Sequence, residues 1–236
     1  MFDRIKYKKF AKTQLAGRWT VPVLMTLICG IISLAISGPG YGGAIADIAA
    51  HPAEQLLTAG GSAGDASYWE PLLLILEIIV GSILTIAQIH VYLKLSRSPE
   101  PVQLGDFLEG LSLWLRGMLA GIWTTIWVVL WSMLFIIPGI VKAFAYSQIF
   151  YLAAEYPSLS IRKAMKVSIE ITRGHKGDLL IMYASFLGWM ILAAIPAGIG
   201  FLWLTPYMQM TAANAYHGLL KEAIVSGRIR KEDLAG

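Results

Sequence analysis

Basic residues occur on only one side of a series of apolar runs in this chain, and that separation restricts its folds more than any other feature. The runs are 21–37, 72–93, 117–137, 140–154, 179–195 and 201–220. Residues 1–20 carry Arg4, Lys6, Lys8, Lys9, Lys12 and Arg18 against a single acid, Asp3. Residues 38–70 carry no Lys or Arg but four acids, Asp47, Glu54, Asp65 and Glu70. The connections 94–116 and 155–178 and the tail 221–236 are basic again, so eighteen of nineteen cations fall on alternate connections. Only Lys142 lies within a run. About 20 apolar residues in a helix span the hydrocarbon of a bilayer, and Lys and Arg stay on the cytoplasmic side of such spans. The pattern predicts an all-α, polytopic membrane helical bundle: six transmembrane helices as three hairpins, an outer loop over 38–70, and both termini cytoplasmic.

Composition agrees. The chain is 56% hydrophobic and 14% charged, with a mean hydropathy of +0.62, whereas soluble domains carry about a quarter charged residues. No linker-like stretch divides residues 1–236, so a single integral membrane domain is expected. Cys29 is the only cysteine, which excludes an intramolecular disulfide and a Cys-based zinc site. The pI of about 9.1 would suit nucleic acid. The basic residues instead flank apolar runs and mix with acids, which suits anionic lipid better. A cleaved leader is the competing reading of the first run, given Ala44-Ile45-Ala46. Its basic segment is about twenty residues long, which favours an uncleaved span.

Two outer reversals are short: Ile137-Pro138-Gly139-Ile140 and Ile195-Pro196-Ala197-Gly198-Ile199-Gly200. Proline fixes φ and glycine permits positive φ, so both suit tight turns. A kink in one long helix is disfavoured, because Arg116 and Arg162 would then fall on opposite sides. The fourth run is short and contains Lys142, so a re-entrant hairpin is the alternative to a full crossing there. Residues 38–70 are either irregular or form a short surface helix around Ile45–Leu57.

The cytoplasmic segment Ser158–Thr172 reads as an amphipathic helix. Leu159, Ile161, Met165, Ser168, Ile169 and Thr172 approximate one face; Arg162, Lys163, Lys166 and Glu170 lie on the other. Such a helix beside a membrane is expected in the headgroup region, with Arg162, Lys163, Lys166 and Arg173 as lipid-headgroup contacts. Residues Leu104–Leu115 form a second piece, with Asp106 as N-cap. Ile5, Phe10 and Leu15 among lysines form a third. The bland reading is anchoring; the sharper one is a docking surface for a protein partner or a second copy of the chain.

The hairpins look repeated. Tyr146-Ser147-Gln148 with Ala153-Ala154-Glu155-Tyr156 matches Tyr207-Met208-Gln209 with Ala212-Ala213-Asn214-Ala215-Tyr216. Copies with one orientation would be parallel repeats about an axis along the membrane normal.

Polar groups within a bilayer are costly and mark candidate sites. Glu77 is the only acid in a run and Lys142 the only cation, at similar depths after Pro71 and Pro138, so an ion pair is expected. Its plain alternatives are an interhelical clamp and a snorkelling lysine. Tyr146, Gln148, Tyr207, Gln209 and Asn214 form a candidate polar cluster near mid-membrane, serving either as helix glue or as the lining of a cavity. Gly117-Met118-Leu119-Ala120-Gly121 permits close helix approach. Gly38-Pro39-Gly40-Tyr41-Gly42-Gly43 fits G-x-G-x-x-G but lacks the strand–helix context of a nucleotide site. Walker, H-E-x-x-H, G-x-S-x-G and Cys/His metal patterns are absent. No enzyme activity, cofactor or metal is therefore expected.

The run Trp131–Tyr156, with Ile136-Ile137-Pro138-Gly139-Ile140-Val141-Lys142 at its centre, resembles a family of bacterial integral membrane proteins, domain of unknown function 975. Ala164–Gly174, Ser185–Trp189, Gly198–Tyr207 and the basic N-terminal segment are also similar. The resemblance implies a helical bundle in a bacterial cytoplasmic membrane, and supplies no activity or catalytic residue. The Pro-Gly-Ile turn and Arg173-Gly174 also resemble the membrane portion of some glycerophosphodiester phosphodiesterases, which implies a lipid-related setting. Two functions follow as expectations: a structural or regulatory membrane module engaging lipid or a protein partner, or a small transporter or channel using the intramembrane polar residues.

Overall fold

The computed structural model describes residues 2–50 and 70–234, with backbone alone at 37–50, 70 and 231. Among the described residues the chain is all-helical, without strands. Its helices are α1 (Arg4–Leu15), α2 (Thr20–Ala50), α3 (Glu70–Arg97), α4 (Leu104–Leu111), α5 (Trp114–Leu134), α6 (Ile136–Tyr146), α7 (Ile149–Glu155), α8 (Ile161–Ile171), α9 (Lys176–Ala184), α10 (Leu187–Ala194) and α11 (Phe201–Val225). A short 3₁₀ turn, Lys231–Leu234, follows.

Four helical stretches are long and apolar enough to cross a membrane: Pro71–Arg97, Trp114–Leu134, Ile136–Glu155 and Lys176–Ala194. This is consistent with a membrane protein. Thr20–Ile36 joins them only together with α1, across a bend of 101°. The expected sixth run, 201–220, falls in the last long helix. The helix Phe201–Val225 exists, but it is not among the candidate spans. Its second half is polar because it faces protein: Thr211, Asn214, Tyr216 and Leu219 are all buried.

Part of the expected outer loop is helical. Helix α2 runs on to Ala50 through Gly38-Pro39-Gly40, and 51–69 lie outside the described residues. Proline and glycine weaken a helix locally, yet are tolerated inside apolar helices. The first short reversal falls earlier than expected. Phe135 is extended (φ −158°, ψ 140°), and Pro138 sits in the first turn of α6, where its missing N–H costs nothing. The second reversal is as expected at 195–200, with Ala197 and Gly198 at positive φ (52° and 82°).

Close packing is set by small residues. A Cβ on Gly117 would lie 2.9 Å from the Ser82 carbonyl oxygen, so the Gly117/Gly121 pair brings α5 against α3 as its spacing predicts. Buried side chains concentrate at the end of the bundle that carries the basic connections. They include Ile86–Ile89 and Val91–Leu93 of α3, Ile149 and Tyr151–Ala154 of α7 and Met210–Tyr216 of α11. Large apolar side chains are exposed at the opposite end: Met133, Leu134, Phe135, Ile136 and Ile137 at one tip, Ile195 and Ile199 at another. Phe186, Ala193 and Leu204 form a small separate core between α10 and α11.

Candidate functional site

At the basic end, α8 is the element around which polar contacts gather. Ser160 caps it, its Oγ accepting from the Lys163 N–H at 3.4 Å. Its apolar face packs against protein and is not free for lipid. Leu159, Ala164, Met165, Val167, Ser168, Ile171 and Thr172 are buried against protein. The reason lies in α6 and α7. The break at Ser147-Gln148 frees backbone groups, and Ser168 takes them up: its Oγ accepts from the Gln148 N–H at 3.3 Å and donates to the Ala145 carbonyl at 2.7 Å. Thr172 Oγ1 also approaches Ala145 O, at 3.4 Å. The opposite face of α8 remains outward: Arg162, Lys163, Lys166 and Arg173 are exposed. The Arg162 guanidinium stands 5.3 Å over the Trp123 ring, whose Nε1 donates to Met165 Sδ at 3.1 Å.

The basic end also carries ion pairs and carbonyl contacts. Arg97 pairs with Glu155, and Lys94 with Asp106. Asp106 is not the N-cap of α4. Gln103 is, and Asp106 three residues on accepts its N–H at 2.8 Å. Burial raises the Asp106 pKa, but the Lys94 ammonium and the Gln103 N–H outweigh it and hold the carboxyl below its ordinary range. Arg116 donates to the carbonyls of Ala153, Tyr156, Pro157 and Leu159, tying the α7–α8 turn to α5.

His175 stands between two carboxylates, Nδ1 2.9 Å from Asp178 Oδ2 and Nε2 2.7 Å from Glu222 Oε1. The His175 ring holds the Glu222 carboxyl below its usual range. Arg228 reaches the carbonyls of Glu170 and Arg173 at 3.2 and 2.8 Å. A cleft of about 280 Å³ lies there, lined by Lys163, Lys166, Glu170, Arg228 and Asp233 among others.

Helix α1 docks beside α11 and α9. Asn214 Nδ2 donates to Gln14 Oε1 at 2.7 Å, Gln14 Nε2 donates to the Ser96 carbonyl at 3.0 Å, and Ser96 Oγ lies 2.8 Å from His217 Nε2. Lys8 Nζ donates to Ser185 Oγ at 2.7 Å and lies 3.9 Å from the Phe186 ring centroid. Burial, with Arg4 and Lys12 nearby, pulls the Lys8 ammonium below its ordinary range. The buried face of α1 is Ala11 and Leu15, while Ile5 and Phe10 are exposed.

The residues singled out by sequence separate. Lys142 Nζ lies 4.6 Å from the Trp131 ring centroid, and no ion pair among the described residues joins it to Glu77. The equal depth of the two positions held no information about direction around each helix. Tyr146, Gln148, Tyr207, Gln209 and Asn214 do not form one cluster. Gln148 is buried and donates to Ser147 Oγ at 2.7 Å, Tyr146 is buried near Lys142, and Asn214 belongs with Gln14. Tyr207 packs edge-on against Phe186, while Gln209 is half-buried on α11. Sequence reasoning missed Ser168 as a bridge, Arg116 as a carbonyl clamp and the His175 carboxylate pair. Only the last left a local signal, the His175–Asp178 spacing of three.

No curated protein matches this chain, and neither does any solved structure. Residues 126–223 match the family model described as protein of unknown function (DUF975). That stretch holds the second half of α5, the α6–α7 break, α8, the Arg173–His175 turn and most of α11. Over residues 126–223, less than half of its length, this chain is similar to the family of domain of unknown function 975.

Proposed function

We propose that the chain is a non-catalytic module of a bacterial cytoplasmic membrane, both termini cytosolic, that engages anionic lipid headgroups through the outward face of α8. One observation carries this reading. The apolar face of α8 is locked into the bundle through Ser168 and Thr172, while Arg162, Lys163, Lys166 and Arg173 are held facing away from it. A fixed basic face next to exposed apolar helices suits the boundary of a bilayer with anionic lipid, where each Lys or Arg contributes about 1 kcal/mol. Every basic connection returns to one side in this arrangement, whether a hairpin crosses the bilayer or turns back within it.

The transport reading has less support. The Tyr and Gln residues it needs together are divided among separate contacts, with Gln148 Nε2 on Ser147 and Tyr207 against Phe186. The test compares thermal unfolding of the wild type and of K163Q/K166Q in nanodiscs of zwitterionic lipid with and without phosphatidylglycerol. The expected result is that anionic lipid raises the midpoint of the wild type more than that of the variant. Equal midpoint shifts in both proteins would refute headgroup engagement by this face.

A further inference from the structure

The geometry points to two apolar hairpins, α5–α6 and α10–α11, that enter only the cytoplasmic leaflet and turn back near the bilayer midplane. This inference rests on the membrane reading above and replaces a full crossing at both places.

The first hairpin turns at Phe135. Ten residues later the Ala145 carbonyl already meets Ser168 and Thr172 of α8. At 1.5 Å per residue that leg is about 15 Å long. Next to Thr172, Arg173 is exposed and pairs with Glu170 at 3.1 Å, and Arg228 caps the carbonyls of both. These are charges of the aqueous boundary, since an unshielded Arg within hydrocarbon is costly. The other leg agrees. Arg162 stands over Trp123, and from Trp123 to Leu134 is eleven residues, about 17 Å. Both legs reach about half of the roughly 30 Å hydrocarbon thickness.

The second hairpin repeats the dimension with different residues. Lys8 bonds Ser185, and ten residues separate Ser185 from Ile195 at the turn, again about 15 Å. On the returning leg, Lys12 Nζ lies 5.8 Å from the Tyr207 ring centroid, only seven residues beyond Gly200. Below Ser185, α9 is flanked by the charged start of α1: Asp3 and Arg4 share a cleft with Asp178 and Ile181. The stretch Lys176–Ala194 is apolar enough to span, but its first part, α9, stands beside polar groups, and only α10 and the start of α11 project. Their own small core, Phe186, Ala193 and Leu204, holds the two legs together. Basic side chains surround the base of each wedge: Arg162, Lys166 and Arg173 at one, Lys8 and Lys12 at the other. Their charge complements the anionic headgroups of the leaflet entered.

Single cysteines at the two tips test this in the full chain. In a C29S background, I137C and I199C are placed in intact cells and in inside-out vesicles, and M133C and I195C serve as second variants. All four positions are exposed, so folding does not depend on them. A membrane-impermeant maleimide is applied from each side, and a bimane at the same sites is quenched with lipids brominated at different depths. Expected is loss of labelling from both sides, with quenching strongest by bromines near the chain ends. Labelling from outside the cell would overturn the half-depth insertion and leave the membrane reading standing. Labelling from the cytosolic side would overturn both.

Discussion

Ser168 donates to the carbonyl of Ala145 at 2.7 Å and so fastens an amphipathic helix to a break in an apolar one. The same oxygen accepts from the Gln148 N–H, so one hydroxyl serves both backbone groups that the α6–α7 break releases. Its side chain is fully buried. S168A removes the bridge and leaves the Gln148 N–H without that acceptor, while Thr172 still reaches Ala145. An unmet buried backbone group costs about 1–3 kcal/mol, and the loss is expected in that range in denaturant unfolding of the detergent-solubilised protein. T172V should cost less, because Thr172 also bonds carbonyls of its own helix. A reversed order would remove Ser168 from its role as the bridge.

How much of this is legible in the sequence differs from element to element. The periodicity of Ser158–Thr172 gives the buried face correctly at Leu159, Met165, Ser168 and Thr172. It is silent on what covers that face, because lipid and protein select the same spacing. The decision is made by a break at Ser147-Gln148, whose free carbonyl and N–H have no signature in composition. The final apolar run shows a related limit. Asn214 and His217 look like polar residues in a span, yet they face Gln14 and Ser96, whose positions come from distant parts of the chain. Glu77 and Lys142 show the limit of depth arguments. Rise along a helix places two residues at one level, but rotation about the axis turns Lys142 to Trp131.

Helix packing predicts opposite signs for two glycine replacements. A Cβ on Gly110 would lie 2.8 Å from Ala87 Cα and 2.9 Å from Ala87 O, both backbone atoms that cannot swing aside. G110A is expected to lose about 1–3 kcal/mol by overpacking. Gly188, inside α10, has nothing within 4 Å of its Cβ position. G188A should therefore stabilise, by up to about 1 kcal/mol, through helix propensity alone. Thermal midpoints of the two variants, measured in one detergent, check the contrast.

Arg116 separates charge from shape. Its guanidinium donates to four carbonyls between Ala153 and Leu159. A lysine keeps the charge, but a single ammonium cannot present donors in a planar fork. R116K is expected to lose about 1–3 kcal/mol and to speed hydrogen exchange around 156–160, with exchange in α10 unchanged. Wild-type exchange in that turn would show that charge alone suffices.

The Glu222 carboxyl gives the basic end a dependence on acid. His175 Nε2 lies 2.7 Å from its Oε1 and Arg228 Nη2 lies 3.5 Å from the same oxygen, and its pKa is held below the ordinary value. A depressed carboxylate adds stability that is complete above the unfolded pKa, about 4.3 for glutamate. That contribution disappears as pH falls through the lower folded value, because the unfolded chain binds the proton first. Thermal unfolding from pH 6 to pH 3 should show the wild type more stable than E222Q above about pH 4.3, with the two curves converging below it. Other carboxylates titrate alike in both proteins, so they cancel in the difference. Parallel curves across the whole range would mean that Glu222 draws no stability from the His175 contact.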